Sequence, residues 1–231
     1  GAVLAKGSAP SRLVRVARAW IGWAPGGLAI AAVVVCAFFT TFSGASGVTI
    51  LALGVLLHQM LAEEGYSENA SLGLVTASGS IGLLFAPALP LIMYAIFAKV
   101  DIDHMFLAGI LPGCLLIVAV SGVGVVLGRR GELKRHPFEW EEAKAAFRGA
   151  IWELLLPLLV LGLLIFGFAD VTEAAAVGAV YTLIIVGIVH KDLDLKTEMG
   201  PAITESGVLI GAVLVIVGLA LALVGFLVDV E

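Results

Sequence analysis

Uncharged runs of roughly twenty apolar residues follow one another along most of the chain, and this repetition limits the fold more than any other feature. A run of that length crosses a hydrocarbon core as an α-helix, and a chain made of several leaves too little polar sequence to cover a soluble core. With 61% hydrophobic and 13% charged residues among 231, the sequence reads as an all-α polytopic membrane protein. The period-2 alternation of an outer-membrane barrel is missing.

The cations are segregated. Lys6, Arg12, Arg15 and Arg18 precede the first apolar run; Arg129, Arg130, Lys134, Arg135, Lys144 and Arg148 form a central basic segment; Lys191 and Lys196 flank a third turn; and only Lys99 lies between Arg18 and Arg129. The positive-inside rule puts these three regions on the cytoplasmic side, with an even number of crossings between any two. Cys36 and Cys114 each sit within an apolar run and read as small buried hydrophobes.

These signals divide the chain. Residues 1–24 predict an interfacial amphipathic helix, with Leu13, Val14, Val16 and Ala17 set against Arg12, Arg15 and Arg18. Residues 25–128 hold two apolar arms, a long run at 69–98 broken around residues 85–90, and a full span at 105–128. Residues 129–150 form a basic connector with a second amphipathic helix from Phe138. Residues 151–231 hold spans at 151–168 and 174–190, a cytoplasmic turn, a short helix from Glu198 and a last apolar run at 207–228.

The stretch TTFSGASGVT, residues 40–49, interrupts the two arms with small and hydroxylated residues alone. Each arm, 27–42 and 48–62, is about 16 residues or about 24 Å of helix, short of a hydrocarbon core about 30 Å thick. An aqueous turn would carry charge, and this one has none. Residues 27–62 therefore read as a re-entrant helical hairpin whose tip, Ser43 to Gly47, is buried in protein at mid-membrane depth. Unwound carbonyls and hydroxyls there suit a small hard cation, and a helix N-terminus at Val48 suits a carboxylate. The same composition suits a close-packing kink, and the residues alone leave both readings open. A second interruption, TASGSIGLLFAPALP at 76–90, strengthens the first reading, because a pair of Gly/Pro-broken apolar segments marks a transporter's site. Against it, a lone serine in such a helix usually bonds back to the carbonyl four residues earlier.

Other polar residues are weaker candidates. Asp170, Thr172 and Glu173 read as a helix N-cap at an interfacial turn, Glu153 as an interfacial residue at the head of a span, and His58 as a hydrogen-bonded polar residue near the cytoplasmic end of the second arm. No HExxH, P-loop, GxSxG or paired-carboxylate pattern supports an enzyme.

Three stretches, "PGGLAIAAVVVCAFFTTFSGASGVT", "GYSENASLGLVTASGSIGLLFAPALPLIMYAIFAKVDIDHMFLAGILPG" and "TEAAAVGAVYTLIIVGIV", cover most of residues 25–190. They resemble the large membrane subunit of the tripartite ATP-independent periplasmic (TRAP) transporters. The resemblance implies an elevator-type inverted-repeat architecture of broken helices in the bacterial inner (cytoplasmic) membrane. It also implies sodium-coupled uptake of organic acids of the C4-dicarboxylate or sugar-acid class, with sodium as coupling ion and no other cofactor. The implied partners are a small membrane subunit, a periplasmic substrate-binding protein and the lipid bilayer, with no nucleic acid. On this resemblance residues 25–128 are the first-repeat transport region and 151–231 the start of the second repeat. Ser43, Gly44, Ser46, Ser78 and Gly79 are then expected around sodium, and Ser46, Gly47, Thr76, Ser80 and Pro87 along the substrate.

The chain departs from the family in reading Ala86-Pro87-Ala88 where Pro-Pro-Ser is usual. The family's first helices, second hairpin and second broken helix have no counterpart in it, so the resemblance implies a central portion with one of two half-sites. A partial sequence is the simpler expectation. The alternative is a degenerate, non-transporting structural subunit of a larger membrane complex.

Overall fold

The computed structural model describes residues 2–129, 138–192 and 195–230. Arg130, Lys134 and Arg135 of the basic connector, and Glu231, lie outside the described residues. Among the described residues all regular structure is helical.

The N-terminal segment is two helices rather than one, α1 (Ala2–Lys6) and α2 (Ala9–Ile21), separated at Gly7-Ser8. Pro10 stands in the first turn of α2, where its missing N–H leaves no helical bond unmade. Leu13 and Ala17 are buried while Arg15 and Arg18 are exposed, so α2 has the expected apolar and cationic sides.

The hairpin follows as α3 (Gly27–Ser43) and α4 (Ser46–Glu63). Its turn is Gly44-Ala45 alone, so the expected five-residue unwound tip contracts to two, and Ser43, Ser46 and Gly47 are helical. Gly44 makes this possible. At φ +70 its backbone reverses direction while its N–H closes α3 on the Thr40 carbonyl at 2.9 Å. Extended Ala45 then offers its own carbonyl to the Thr49 N–H at 3.3 Å, which opens α4 two residues before Val48.

The next apolar run breaks earlier than its prolines suggest. Helix α5 (Glu68–Ser78), capped by the Ser67 hydroxyl, stops at Gly79, a 3₁₀ turn covers Ile81–Leu84, and α6 (Leu89–Ala98) leaves at 44°. Helix α7 (Ile102–Arg129) runs unbroken past Pro112. Helices α8 (Trp140–Gly149) and α9 (Ile151–Ile165) meet at 57°, and α10 (Val171–Ile184) continues into a π turn, Ile185–Val189. The short helix from Glu198 and the run at 207–228 prove to be one helix, α11 (Leu195–Val230).

Among the described residues four helical stretches are long and apolar enough to cross a membrane, and up to six if each bent pair makes one span. Helix α3, at 17 residues, is the short apolar exception, and α4, at 18, just reaches span length. Helix α3 is also the centre of the molecule: α2, α4, α5, α7 and the 3₁₀ turn all pack on it. Leu28, Ala29, Ala31, Ala32, Val33 and Cys36 have essentially no exposed surface. Protein therefore surrounds α3 where lipid would surround an ordinary span. Helices α7 and α11 have the opposite character, with large apolar residues such as Leu111, Val118, Ile216 and Leu219 left on the outside for hydrocarbon to cover.

On the charged side α2 and α8 form a platform. Trp20 donates its Nε1–H to the Ala143 carbonyl at 3.3 Å and stands edge-on to Trp140 and Phe147, and Arg15 pairs with Glu142 at 2.7 Å. Hydrogen bonding to Arg15 lowers the Glu142 carboxyl below its ordinary range.

Candidate functional site

The ends of α3 and α4 place four hydroxyls in one knot beside the α5 break. Thr40 Oγ1, with no exposed surface, lies 2.7 Å from the Cys36 carbonyl oxygen, 2.8 Å from the Gly79 carbonyl oxygen and 2.8 Å from Thr49 Oγ1. Thr41 Oγ1 lies 2.9 Å from the Ala37 carbonyl and 3.2 Å from that of Gly82. Ser43 Oγ closes the group at 3.0 Å from Thr49 Oγ1, 3.2 Å from the Ala45 carbonyl and 3.4 Å from the Thr40 carbonyl.

Each hydroxyl has one hydrogen. Thr40, Thr41, Ser43 and Thr49 thus bring four hydrogens to the carbonyl oxygens of Cys36, Ala37, Thr40, Ala45, Gly79 and Gly82. The Thr40, Ala45 and Gly82 carbonyls also accept from the N–H groups of Gly44, Thr49 and Phe85, and the group as a whole is uncharged and oxygen-rich, the kind of ligand a small hard cation takes.

The two elements that form the knot meet backbone to backbone. A β-carbon at Gly82 would stand 2.1 Å from the Ala37 carbonyl oxygen and 2.6 Å from Thr40 Cβ, so glycine is required for the 3₁₀ turn to reach the hairpin. The break itself frees the Gly79 carbonyl, which lies past the end of α5, while the Gly82 carbonyl also accepts from the Phe85 N–H at 3.1 Å.

The residues expected from sequence fall into three groups. Ser43 and Gly79 lie in the knot, and Gly44 supplies its turn. Ser46 and Gly47 occupy the first turn of α4, with open space beside the Gly47 α-carbon. Ser78, Thr76 and Ser80 stand apart: the buried Ser78 hydroxyl bonds the Leu74 carbonyl, the exposed Thr76 hydroxyl bonds Leu72 at 2.8 Å, and the exposed Ser80 hydroxyl bonds Ala77 at 3.2 Å. Each of the three donates to its own segment, and none reaches the knot. Thr40, Thr41 and Thr49 belong to the knot and were not singled out by the sequence reading. Their signal is position, since Thr40 and Thr49 stand at equal distance from the middle of the Gly44-Ala45 turn.

Pro87 lines a cavity of about 600 Å³ on the other flank of the hairpin, between Thr41 and Phe42 on one side and α9, α10 and α11 on the other. Its polar lining is hydroxylic, from Thr41, Thr182 and Ser206. Among the described residues no group of three or more His, Cys, Asp or Glu side chains is arranged to hold a metal ion.

The weaker candidates resolve into structural roles. Asp170 and Glu173 form a reciprocal capping box on α10: Asp170 accepts from the Thr172 and Glu173 N–H groups at 2.9 Å, and Glu173 accepts from the Asp170 N–H at 3.1 Å. His58 Nδ1 lies 2.7 Å from the buried Ser71 Oγ, joining α4 to α5. Glu153, expected at the interface from its place at the head of α9, is 4% exposed and paired with Arg12. Helix α2 reaches over it with a cation, a long-range pairing that local sequence does not encode.

The family model for the tripartite ATP-independent periplasmic transporter, DctM component, matches residues 1–231, the whole chain. The chain belongs to the DctM family. It is 36% identical over 210 residues to the C4-dicarboxylate TRAP transporter large permease protein DctM of Vibrio cholerae, covering 87% of this chain and 46% of that protein. It is 29% identical over 194 residues to the ectoine/5-hydroxyectoine TRAP transporter large permease protein UehC of Ruegeria pomeroyi, covering 84% and 45%. To the sialic acid TRAP transporter permease protein SiaT of Haemophilus influenzae it is 29% identical over 198 residues, covering 85% and 32%. The chain thus spans about half the length, or less, of the curated relatives it matches. As a DctM component it is a multi-pass membrane protein of a transport system and not an enzyme.

Proposed function

We propose that this chain carries the first-repeat transport region of a TRAP permease, with the hairpin knot binding the sodium ion that drives uptake. The observation that supports this reading is the gathering of four hydroxyls and six carbonyl oxygens from a hairpin tip and a helix break, with no charged side chain among them. Sodium takes its ligands from Ser43 and the Gly79 carbonyl, as expected, and from Thr40, Thr49 and the Gly82 carbonyl in addition. Gly44 acts by setting the turn, and Ser46 and Ser78 by shaping the segments around it.

The cargo is a carboxylate-bearing organic solute. C4-dicarboxylate, sialic acid and ectoine, the solutes named for three relatives, differ in size and polarity and have the carboxylate in common. The first turn of α4 meets that need with the unpaired N–H groups of Ser46, Gly47 and Val48, open beside Gly47. Thr76, Ser80 and Pro87 border the rest of the path. The solute arrives from a periplasmic binding protein at a permease completed by a small membrane subunit in the bacterial inner membrane. This organisation is proposed by likeness to the relatives, of whose length the chain spans about half.

The test is uptake into proteoliposomes of the full-length permease with its small subunit and binding protein, over a panel of succinate, sialic acid and ectoine, driven by sodium or by choline. Thr40→Val keeps shape and removes the hydroxyl; the sodium concentration for half-maximal uptake then rises at least tenfold, and Ser43→Ala acts in the same direction. Uptake equal in sodium and choline would sink the coupling, and an unchanged sodium dependence in Thr40→Val would sink the site. A folded protein that moves none of the panel under any gradient would favour the structural-subunit alternative.

A further inference from the structure

A cavity of about 590 Å³ opens on the charged side of the molecule, away from the hairpin knot, where α2, the last turns of α4 and the start of α8 come together. Arg15 and Glu142 stand in its wall already joined to each other, at 2.7 and 3.0 Å. Three further charged side chains line it: Arg18 of α2, Glu63 of α4 and Glu139 ahead of α8. All three are exposed, and among the described residues none has an opposite charge within ion-pair distance. The buried Glu64 acts on Arg18 only at longer range. With Arg15 and Glu142 cancelling, the described lining offers one unpaired cation and two unpaired carboxylates.

The outer side of α4 changes character on its way to this cavity. Leu51, Val55, Gln59 and Glu63 recur at four-residue spacing, which sets them in one row on a helix, and all four are exposed. Leu51 and Val55, nearer the hairpin tip, are 81% and 65% exposed, while Gln59 and Glu63 line the cavity. The row thus passes from apolar to polar over about 18 Å of helix, the order of an acyl chain and its headgroup. Trp23 lines the cavity and Trp20 lies on the same platform, both exposed, as side chains of a membrane–water interface are. The apolar row selects lipid, and the charges select the headgroup. An anionic headgroup would add to the carboxylate surplus, and a quaternary ammonium has no N–H to donate. A primary ammonium donates to carboxylates, and the phosphodiester next to it suits a guanidinium.

We propose that this cavity seats the headgroup of a zwitterionic phospholipid with a primary amine, the phosphatidylethanolamine class. The phosphodiester meets Arg18, the ammonium meets Glu63 and Glu139, and an acyl chain follows Val55 and Leu51 towards the hairpin tip. The lipid fills the angle between the charged-side end of the hairpin and the α2–α8 platform. The site is separate from the hairpin knot and independent of the sodium reading, and its test reads lipid binding rather than uptake.

The experiment is native mass spectrometry of the delipidated full-length permease with its small subunit, titrated with dioleoyl phosphatidylethanolamine, phosphatidylcholine or phosphatidylglycerol. The first equivalent of phosphatidylethanolamine is expected to bind at least fivefold more tightly than either of the others. The Glu63→Gln, Glu139→Gln double variant is expected to lose the preference over phosphatidylcholine, and Arg18→Gln to weaken both lipids at least fivefold. No preference in wild type, an undiminished preference in the double variant, or unchanged binding in Arg18→Gln overturns the proposal. If the variants do not fold, hydrogen exchange of wild type in nanodiscs of phosphatidylcholine, with and without one-third phosphatidylethanolamine, decides. The amine lipid is expected to slow exchange at least fivefold in residues 15–20 and 56–63 and to leave α11 unchanged. No slowing in those segments, or equal slowing in α11, overturns it.

Discussion

Thr40 illustrates what a single side chain can reveal and hide. In sequence it is one more threonine beside the apolar run VVVCAFF, and its role depends on Thr49 nine residues later and Gly79 thirty-nine residues later. Ser78 is the converse: it looks like a ligand by its place in TASGS, yet its hydroxyl is spent on the carbonyl one turn back, the usual fate of a serine inside a helix. Gly82 permits a sharper test. With a β-carbon 2.1 Å from the Ala37 carbonyl, Gly82→Ala forces the 3₁₀ turn off the hairpin and costs about 3 kcal/mol. A fluorescence-detected thermal melt of the purified permease checks this, and a melting temperature within error of wild type would mean that the backbones part without penalty. Glu64 carries a pH prediction. It is 4% exposed just past α4, and burial raises its carboxyl from 4.5 to about 7 against the pull of Arg18. The folded protein then keeps a proton that the unfolded chain releases, so stability declines as pH rises from about 4.5 to about 7. Glu64→Gln flattens that decline and melts higher than wild type above pH 7; identical pH profiles would refute the raised value.

At the level of elements, the hydrophobic pattern located nearly every helix but misjudged the joints. The arms of the hairpin are where the apolar periodicity puts them. The tip is shorter than its composition suggests, because glycine and serine are poor helix formers only on average, and one glycine at positive φ was enough to turn the chain. In the next run the prolines drew attention to residues 85–90, while the α-helix had already ended at Gly79, where tertiary contact with Thr40 competes for the backbone. The capping box of α10 was legible, because Asp-x-x-Glu ahead of an apolar run is a local signal with a local cause. Asp170→Ala should therefore cost about 1 kcal/mol and speed amide exchange at Thr172 and Glu173. No change at those two amides would contradict the box.

For the whole molecule, the membrane class and the cationic side were written in composition and charge placement, since both are set by the solvent around the chain. The joining of distant parts was not, as it depends on pairs such as Arg12 with Glu153, 141 residues apart. The ion pairs of Arg12 and Arg15 on α2 should behave differently under mutation. Glu153→Ala leaves Arg12 with one carboxylate in a buried place and lowers stability by about 3 kcal/mol. Arg15→Ala removes an exposed pair with Glu142 and leaves the melting temperature unchanged. Equal effects of the two would mean that both sites are solvated.

Gly82 seated against Ala37 has a mechanical meaning as well. With no slack between those two backbones, the hairpin cannot slide along the broken helix by even one turn, about 5.4 Å, without collision. Any stroke that carries cargo across the bilayer must therefore move both pieces together as a single carriage.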